Sequence, residues 1–148
     1  MDTNKNSYTV IYATVLVVLV AVVLALASYL LKDRQQRNVE IETKQMILKS
    51  VKLGLDANTV PDKASYIEEQ YAKYITDSTI ATEAGEHKLF VCKLDSCERL
   101  YIVPVHGTGL WGPIWGYVAL KGDFNTIYGT TYDHKSETPG LGAEINTV

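Results

Sequence analysis

A long run without charged residues near the N-terminus constrains the fold of this chain more than any other feature. From Tyr8 to Leu31 the sequence contains no Asp, Glu, Lys or Arg. As a helix, the apolar part of this run would span about 30 Å, which is the thickness of the hydrocarbon core of a bilayer. Tyr12 and Tyr29 lie near its two ends, where aromatic side chains meet the membrane–water interface. The run therefore predicts a single membrane-spanning helix.

A cleaved secretory signal is the alternative to a retained anchor. Residues 25–27 read Ala-Leu-Ala, a weak form of the small-residue site at which signal peptides are cleaved. The hydrophobic run continues past this tripeptide, so we expect the anchor to be retained. Four basic residues follow the run and only Lys5 precedes it, so the positive-inside rule places the C-terminal side in the cytoplasm; the four are Lys32, Arg34, Arg37 and Lys44.

The composition describes one folded domain attached to this anchor. The chain has 148 residues, of which 47% are hydrophobic and 21% charged, and its net charge is −3. This balance is typical of a globular domain, and it lacks the clustered basic charge of a nucleic-acid-binding surface. Nucleic acid is therefore not an expected partner.

Helical patterns precede strand patterns along the chain. Apolar residues at Ile47, Val51 and Leu55 recur with helical spacing, which predicts a helix over 33–55. Asp62 is a suitable N-cap for a second helix that runs to about Ile75. From residue 88 onwards β-branched and aromatic residues predict two hairpins: Leu89–Cys92 with Leu100–Val105, and Ile114–Leu120 with Phe124–Tyr132. This order predicts an α+β fold whose sheet is antiparallel.

The two cysteines flank the turn of the first predicted hairpin. Four residues separate Cys92 from Cys97, so the two sulfurs can face each other and form a disulfide in an oxidising compartment. Two cysteines do not complete a zinc site, and no histidine lies nearby at ligand spacing. We therefore expect no metal site, and a disulfide if the domain is exported.

Two glycine-rich blocks are the candidate functional motifs. The first reads GTGLWGPIWGYVAL from Gly107, and the second reads HKSETPGLGAEI from His134. The first block matches the G-x-G-x-x-G pattern of dinucleotide-binding folds, which requires a helix directly after the glycines. A strand pattern follows instead, so we reject that interpretation. Glycines that only shape a bend between strands remain the alternative to a binding role.

These blocks, in this order, resemble the FMN-binding domain of the C subunit of the sodium-pumping NADH:quinone reductase (NqrC). The resemblance is weaker to the paralogous G subunit of the Rnf electron-transport complex. It divides the chain into a polar N-terminus (1–7), a transmembrane helix (8–31), a connecting juxtamembrane helix (32–60) and the N-terminal portion of an FMN-binding domain (61–148).

The resemblance also implies a cofactor site and its residues. Leu110 and Trp111 would lie along the isoalloxazine ring, and the second block would form the wall beside it. Glu137 would either contact the flavin or hold its own loop by bonding to the backbone. The implied FMN-binding residues are Leu110, Trp111, Glu137, Thr138, Gly140, Leu141 and Gly142. No catalytic residue and no metal ligand is implied. His106 and His134 precede the two blocks, and surface histidines are a simpler explanation for them than proton shuttles.

Covalent attachment is the point at which the sequence departs from the family. NqrC-like proteins esterify the FMN phosphate to a threonine in a Ser/Thr-Gly-Ala-Thr motif downstream of the second block. This sequence contains no such tetrapeptide. We therefore expect the chain to be part of a longer protein, with its sheet incomplete at the C-terminus and the attachment threonine beyond Val148.

The function implied by the resemblance is electron relay through FMN within a membrane-bound, Na+-translocating NADH:quinone oxidoreductase. Such a subunit belongs to a translocase and is not catalytic alone. Its partners would be the other subunits and membrane lipid. The resemblance places the flavin domain on the periplasmic side of the bacterial inner membrane, against the charge rule. The alternatives are an Rnf-type G subunit and a non-catalytic, membrane-anchored assembly or binding module.

Overall fold

A computed structural model of the chain describes residues 6–82, 85–95 and 98–146. The chain divides into two compact units, Met1–Val39 and Glu40–Val148. The boundary lies within helix α1 (Asn6–Ser50). In the first unit, the apolar side chains of α1 are exposed. By length and composition α1 can cross a membrane, which is compatible with the predicted anchor.

The second unit contains the rest of α1, helix α2 and an antiparallel sheet. Helix α2 spans Lys63–Tyr74. The strands are β1 (Ile75–Thr82), β2 (Gly85–Lys93), β3 (Arg99–Thr108), β4 (Pro113–Leu120) and β5 (Ile127–His134). They form one five-stranded sheet in the order β1-β2-β3-β4-β5, so each strand pairs with its sequence neighbour. A short 3-10 helix, Ala143–Asn146, follows. The predicted α+β fold with an antiparallel sheet is confirmed.

Helix α1 ends earlier than the sequence predicts. The expected helix over 33–55, and the connecting helix over 32–60, are wrong beyond Ser50. Lys52 adopts a left-handed conformation with φ of 60°. The Lys52 N–H donates to the Lys49 carbonyl at 2.9 Å, and the Leu53 N–H donates to the Leu48 carbonyl at 3.0 Å. This pair of bonds is the Schellman pattern that terminates helices. A lysine here takes the place of the glycine that usually ends a helix in this way, and the first glycine of the segment, Gly54, comes two residues later.

Helix α2 begins as predicted. The Asp62 carboxylate accepts a hydrogen bond from the Ser65 backbone N–H at 3.2 Å and from the Ser65 hydroxyl at 2.7 Å. These bonds satisfy a donor that the first turn of a helix leaves unpaired, which is the role of an N-cap residue. The helix ends at Tyr74, close to the expected end at about Ile75.

Strand β1 is a feature that the sequence patterns do not predict. Residues 75–82 pair in register with β2, from Ile75 opposite Cys92 to Thr82 opposite Gly85. Threonine and isoleucine are frequent in this segment, and both favour extended backbone. Most of its side chains are exposed, so the segment lacks the apolar alternation that makes a strand recognisable. The first hairpin, β2 with β3, is confirmed.

The second hairpin is also confirmed, but its last strand begins later than predicted. The sequence predicts a strand from Phe124, whereas β5 begins at Ile127. The Asp123 carboxylate accepts hydrogen bonds from the N–H groups of Asn125 and Thr126 at 3.1 and 3.0 Å, and also from the Thr126 hydroxyl. These bonds lower the pKa of Asp123 to about 2, the Thr126 hydroxyl being the largest cause. The turn therefore extends to Thr126.

The core of the second unit lies between the helices and one face of the sheet. Its fully buried side chains include Leu48 from the end of α1, Ile67 from α2, and Leu100 and Ile102 from β3. Cys92 is also buried there, and burial raises the pKa of its thiol to about 11. Cys97 lies outside the described residues, so the proposed disulfide stays a prediction.

Candidate functional site

The first glycine-rich block forms the turn between β3 and β4. Thr108 and Pro113 are the last residues of these strands to pair. Between them, the Gly109 N–H donates to the Gly112 carbonyl at 2.8 Å. We refer to residues 109–112 as the β3–β4 loop. A strand and not a helix follows this loop directly, in agreement with the rejection of a dinucleotide-binding fold.

The second block forms the segment after β5. We refer to residues 135–142 as the post-β5 loop. The Lys135 N–H donates to the Pro113 carbonyl at 3.1 Å, which places the start of this loop beside the end of the other. Gly140 and Gly142 have φ of 78° and 133°, conformations that residues with a side chain rarely adopt. Both glycines are therefore needed for the path of the chain.

Glu137 joins the two loops. Its side chain is buried, with 8% exposure. The carboxylate Oε1 accepts a hydrogen bond from the Trp111 N–H at 3.0 Å. The neighbouring Ser136 hydroxyl donates to the Trp111 carbonyl at 3.0 Å. Both polar backbone groups of Trp111 are thus held by the post-β5 loop, and the two motifs form one continuous surface.

Two glycines of the β3–β4 loop allow this close approach. A Cβ atom on Gly109 would overlap Glu137 Oε1, and a Cβ atom on Gly112 would overlap the Ser136 hydroxyl. A Cβ atom on Gly142 would lie 3.1 Å from Glu137 Oε2. The glycines therefore serve loop-to-loop packing around one carboxylate. The glycines thus allow the bend between the strands to pack closely against the post-β5 loop. Glu137 holds the two loops together, which is one of the two roles considered for it.

Three apolar side chains of the joined loops are exposed. Leu110, Trp111 and Leu141 have exposures of 69%, 64% and 62%. Apolar side chains grouped on two connected loops are more informative than scattered ones, because they indicate a surface that receives a partner or ligand. The backbone of Trp111 is fixed, so its indole is presented from a defined position.

A backbone donor at the glycines of the post-β5 loop is already used by Glu144, a residue that the sequence analysis did not single out. The Gly140 N–H donates to Glu144 Oε1 at 2.5 Å. This bond is the largest cause of the lowered pKa of Glu144, and Gly142 contributes as well. The glycines of the loop thus already bind an anionic group. The only signal in the sequence was an acidic residue four positions after a glycine of the second block.

Glu144 also changes the expectation for the cofactor. The resemblance implies that the second block forms the wall beside the flavin ring, where its backbone N–H groups would face flavin carbonyls or phosphate. A carboxylate bound to these donors shows that the loop suits an anionic or electron-rich group. The residues present therefore fit a flat ring with acceptor atoms, because the joined loops carry exposed apolar side chains and backbone donors, one of which an acid now engages.

The remaining candidate residues have structural contacts or lie apart. His134 Nδ1 accepts the Glu137 N–H at 3.2 Å, so this histidine supports the loop. The Thr138 carbonyl accepts from the N–H groups of Leu141 and Ala143 at 2.9 and 3.3 Å. His106 lines a different cavity of about 500 Å³ with residues of β2 and β4. Within residues 6–82, 85–95 and 98–146, no group of three metal-ligating side chains is present.

Comparison with known proteins identifies the family of these motifs. Residues 109–147 match the family described as FMN-binding domain. The C subunit of the Na(+)-translocating NADH-quinone reductase of Chlamydia muridarum is 57% identical over 80 residues, which are 52% of this chain and 25% of that protein. The curated relatives are thus matched over a minor part of their length.

Two solved NqrC structures have the same fold. The structure from Parabacteroides distasonis is 33% identical and covers 78% of this chain and 64% of that one, with a TM-score of 0.64. The Shewanella oneidensis structure, 22% identical with a TM-score of 0.55, covers 76% of this chain and 66% of that one. The resemblance carried by the two glycine-rich motifs is therefore confirmed: residues 109–147 match the FMN-binding domain family, and the chain is similar to NqrC proteins in sequence and in fold.

Proposed function

We propose that this chain is the membrane-anchored, flavin-carrying part of the NqrC subunit of a Na+-translocating NADH:quinone reductase. The observation that carries the proposal is the joining of the two motifs through Glu137, because it turns two separate loops into one surface within the matched FMN-binding segment. The relatives from Chlamydia and Parabacteroides are NqrC proteins, which favours this assignment over an Rnf-type G subunit.

The exposed apolar side chains are the proposed contacts of the flavin ring. Trp111 and Leu110 lie in one loop and Leu141 in the other. Together they would cover the ring and exclude water from it. FMN, when bound, supplies one-electron transfer, and the protein adjusts it through hydrogen bonds and burial.

The post-β5 loop is the proposed polar side of the site. Thr138, Gly140 and Gly142 shape its backbone, and Glu137 acts by holding the loop to Trp111 rather than by touching the ring. Glu144 occupies the donor of Gly140, so a flavin acceptor would share or replace this carboxylate. The threonine ester implied by the family needs a motif that this sequence does not contain. The residues of the two loops are therefore proposed as contacts of the flavin ring and not as the attachment point of its phosphate.

The same proposal gives the domain a membrane location and a place in the complex. Helix α1 would anchor the chain as a single span in the bacterial inner membrane, with the FMN domain on the periplasmic side. The chain would pass electrons to and from other subunits of the complex. It would not turn over NADH or quinone alone, and the reaction of the whole complex would be that of a translocase.

FMN binding by the full chain in detergent tests the proposal. We expect the protein to quench FMN fluorescence, and Trp111→Ala to weaken the affinity by about tenfold, because stacking on an aromatic side chain contributes about 1 kcal/mol or more. Phe124→Ala is the matched control: Phe124 is 61% exposed but lies in the β4–β5 turn. Equal affinities for the wild type and Trp111→Ala would remove Trp111 from the site.

A further inference from the structure

Strands β2 and β3 pair over only part of their length. They are in register from Phe90 opposite Ile102 to Lys93 opposite Arg99. Outside this stretch, residues 85–89 pair with β1 alone and residues 103–108 pair with β4 alone. Among the described residues, the sheet is therefore split between these two segments, and each of them has one strand edge without a neighbouring strand.

The position of Pro104 agrees with this split. Strand β3 lies between β2 and β4, where a proline is not expected, because proline has no N–H to donate to a neighbouring strand. Pro104 pairs with Tyr117 of β4 and lies two residues after Ile102, the last residue of β3 that pairs with β2. The pairing with β2 thus stops just before a residue that cannot continue it.

The cavity that His106 lines occupies this split. Its volume is about 500 Å³, within the range of about 300–1,000 Å³ that is common for ligand sites. We call it the β2–β3 slot. None of the residues implied for the FMN site lines it. Its lining comes from β2, β3, β4 and α1 and includes Glu86, Lys88, Phe90, Pro104, Tyr117 and Thr43.

The slot has an apolar part and a charged rim. Phe90, Pro104 and Tyr117 are half-buried, and the rings of Phe90 and Tyr117 meet edge to face with their centroids 6.0 Å apart. Glu86 and Lys88 are exposed. An apolar centre inside a polar rim is the usual composition of a surface that binds another protein.

The charges of the rim are ordered along β2. Glu86, Lys88 and Phe90 follow one another at intervals of two residues, so their side chains lie on one face of the strand. Within the described residues, neither Glu86 nor Lys88 takes part in an ion pair. A strand that runs antiparallel to β2 would be complementary if it placed an apolar residue opposite Phe90, then an acidic residue opposite Lys88, then a basic residue opposite Glu86.

We propose that the β2–β3 slot binds an extended segment of a partner protein, which adds a strand to the sheet between β2 and β3. Open strand edges favour an extended backbone as the ligand, because the N–H and C=O groups of the edge pair with those of the added strand. The segment runs antiparallel to β2 and parallel to β3, and it carries apolar, acidic and basic residues in this order at alternate positions. This site goes beyond the proposed function, because it shares no residue with the two glycine-rich loops.

NMR titration of the full chain in detergent with a synthetic peptide tests this inference. The probe is Val-Thr-Glu-Thr-Lys with both ends blocked, at low ionic strength. We expect it to bind with a Kd of about 1 mM or lower and to shift the amide signals of residues 86–89 and 105–106. The same peptide methylated at its backbone nitrogens should not bind, because it cannot donate to a strand edge.

A charge exchange tests the orientation of the segment. Glu86→Lys combined with Lys88→Glu should weaken binding of the probe by about tenfold, because two attractive pairs become repulsive. The peptide Val-Thr-Lys-Thr-Glu should recover this affinity in the exchanged variant. Lys93→Glu is the matched control, since Lys93 is exposed on the part of β2 that pairs with β3 and does not line the slot.

Several results would overturn the inference. A Kd for the probe above about 1 mM in the wild type would show that the slot does not bind such a segment. Equal weakening in Lys93→Glu would show a nonspecific charge effect, and binding of the methylated peptide would show that no strand is added. Displacement of the probe by FMN, or shifts confined to residues 109–112 and 135–142, would place the peptide at the glycine-rich loops. A dimer of the chain that the probe dissociates in sedimentation would assign the slot to a second copy.

Discussion

Removal of the Glu137 carboxylate tests the central contact of the candidate site. In Glu137→Ala, the Trp111 N–H loses its acceptor, and the space between Gly109 and Gly142 is left empty. A hydrogen bond to a charged group contributes about 1.5–3 kcal/mol. Only the attachment of the loops depends on this bond, because the hydrophobic core consists of other residues. We therefore expect local separation of the loops without global unfolding.

The contribution of the Glu137 carboxylate can be measured by two independent methods. Amide hydrogen exchange should show the Trp111 N–H opening about 10- to 150-fold more often, which corresponds to the energy of the lost bond. FMN affinity in the fluorescence titration should fall by at least about tenfold. Glu137→Gln retains an acceptor oxygen at the same place, so it should recover part of both losses.

Glu86→Ala is the matched control for this experiment, because Glu86 is exposed on β2, far along the chain from both loops. It should leave the exchange of the Trp111 amide and the FMN affinity unchanged. The reasoning is refuted if Glu137→Ala exchanges Trp111 at the wild-type rate, since the carboxylate then does not hold the loop. Weaker FMN binding with unchanged exchange would instead assign Glu137 to direct contact with the flavin.

Three further predictions concern the fold and its setting. Ile102→Ala should lower the free energy of unfolding, measured by urea titration, by about 2–5 kcal/mol, because Ile102 is fully buried. Ile80→Ala should have little effect, since Ile80 is 46% exposed. The pKa of Asp123 is lowered to about 2, so its ionised carboxylate stabilises the fold above the ordinary carboxyl pKa, and this stabilisation is lost as the pH falls towards 2. When the free energy of unfolding is measured against pH, Asp123→Asn should lack this part of the loss of stability. A periplasmically active phosphatase fused after Val148 should be active in cells, and activity of a cytoplasmic reporter alone would restore the orientation given by the charge rule.

The features that could be predicted from the sequence are those coded by neighbouring residues. The uncharged run marked the long apolar helix, Asp62 marked the start of α2, and runs of β-branched and aromatic residues marked the two hairpins. Each of these signals acts over a few residues. The end of α1 was misplaced because Lys52 takes a conformation that its residue type does not indicate. Strand β1 was missed because its side chains are mostly exposed and show no alternation.

The sequence by itself determined that the chain has an apolar span, an α+β order and two glycine-rich motifs that resemble one family. Only the tertiary structure decided that these motifs meet, because the decisive bond joins Glu137 to Trp111, which lie 26 residues apart. The intervening hairpin brings them together, and no local pattern encodes the distance between them.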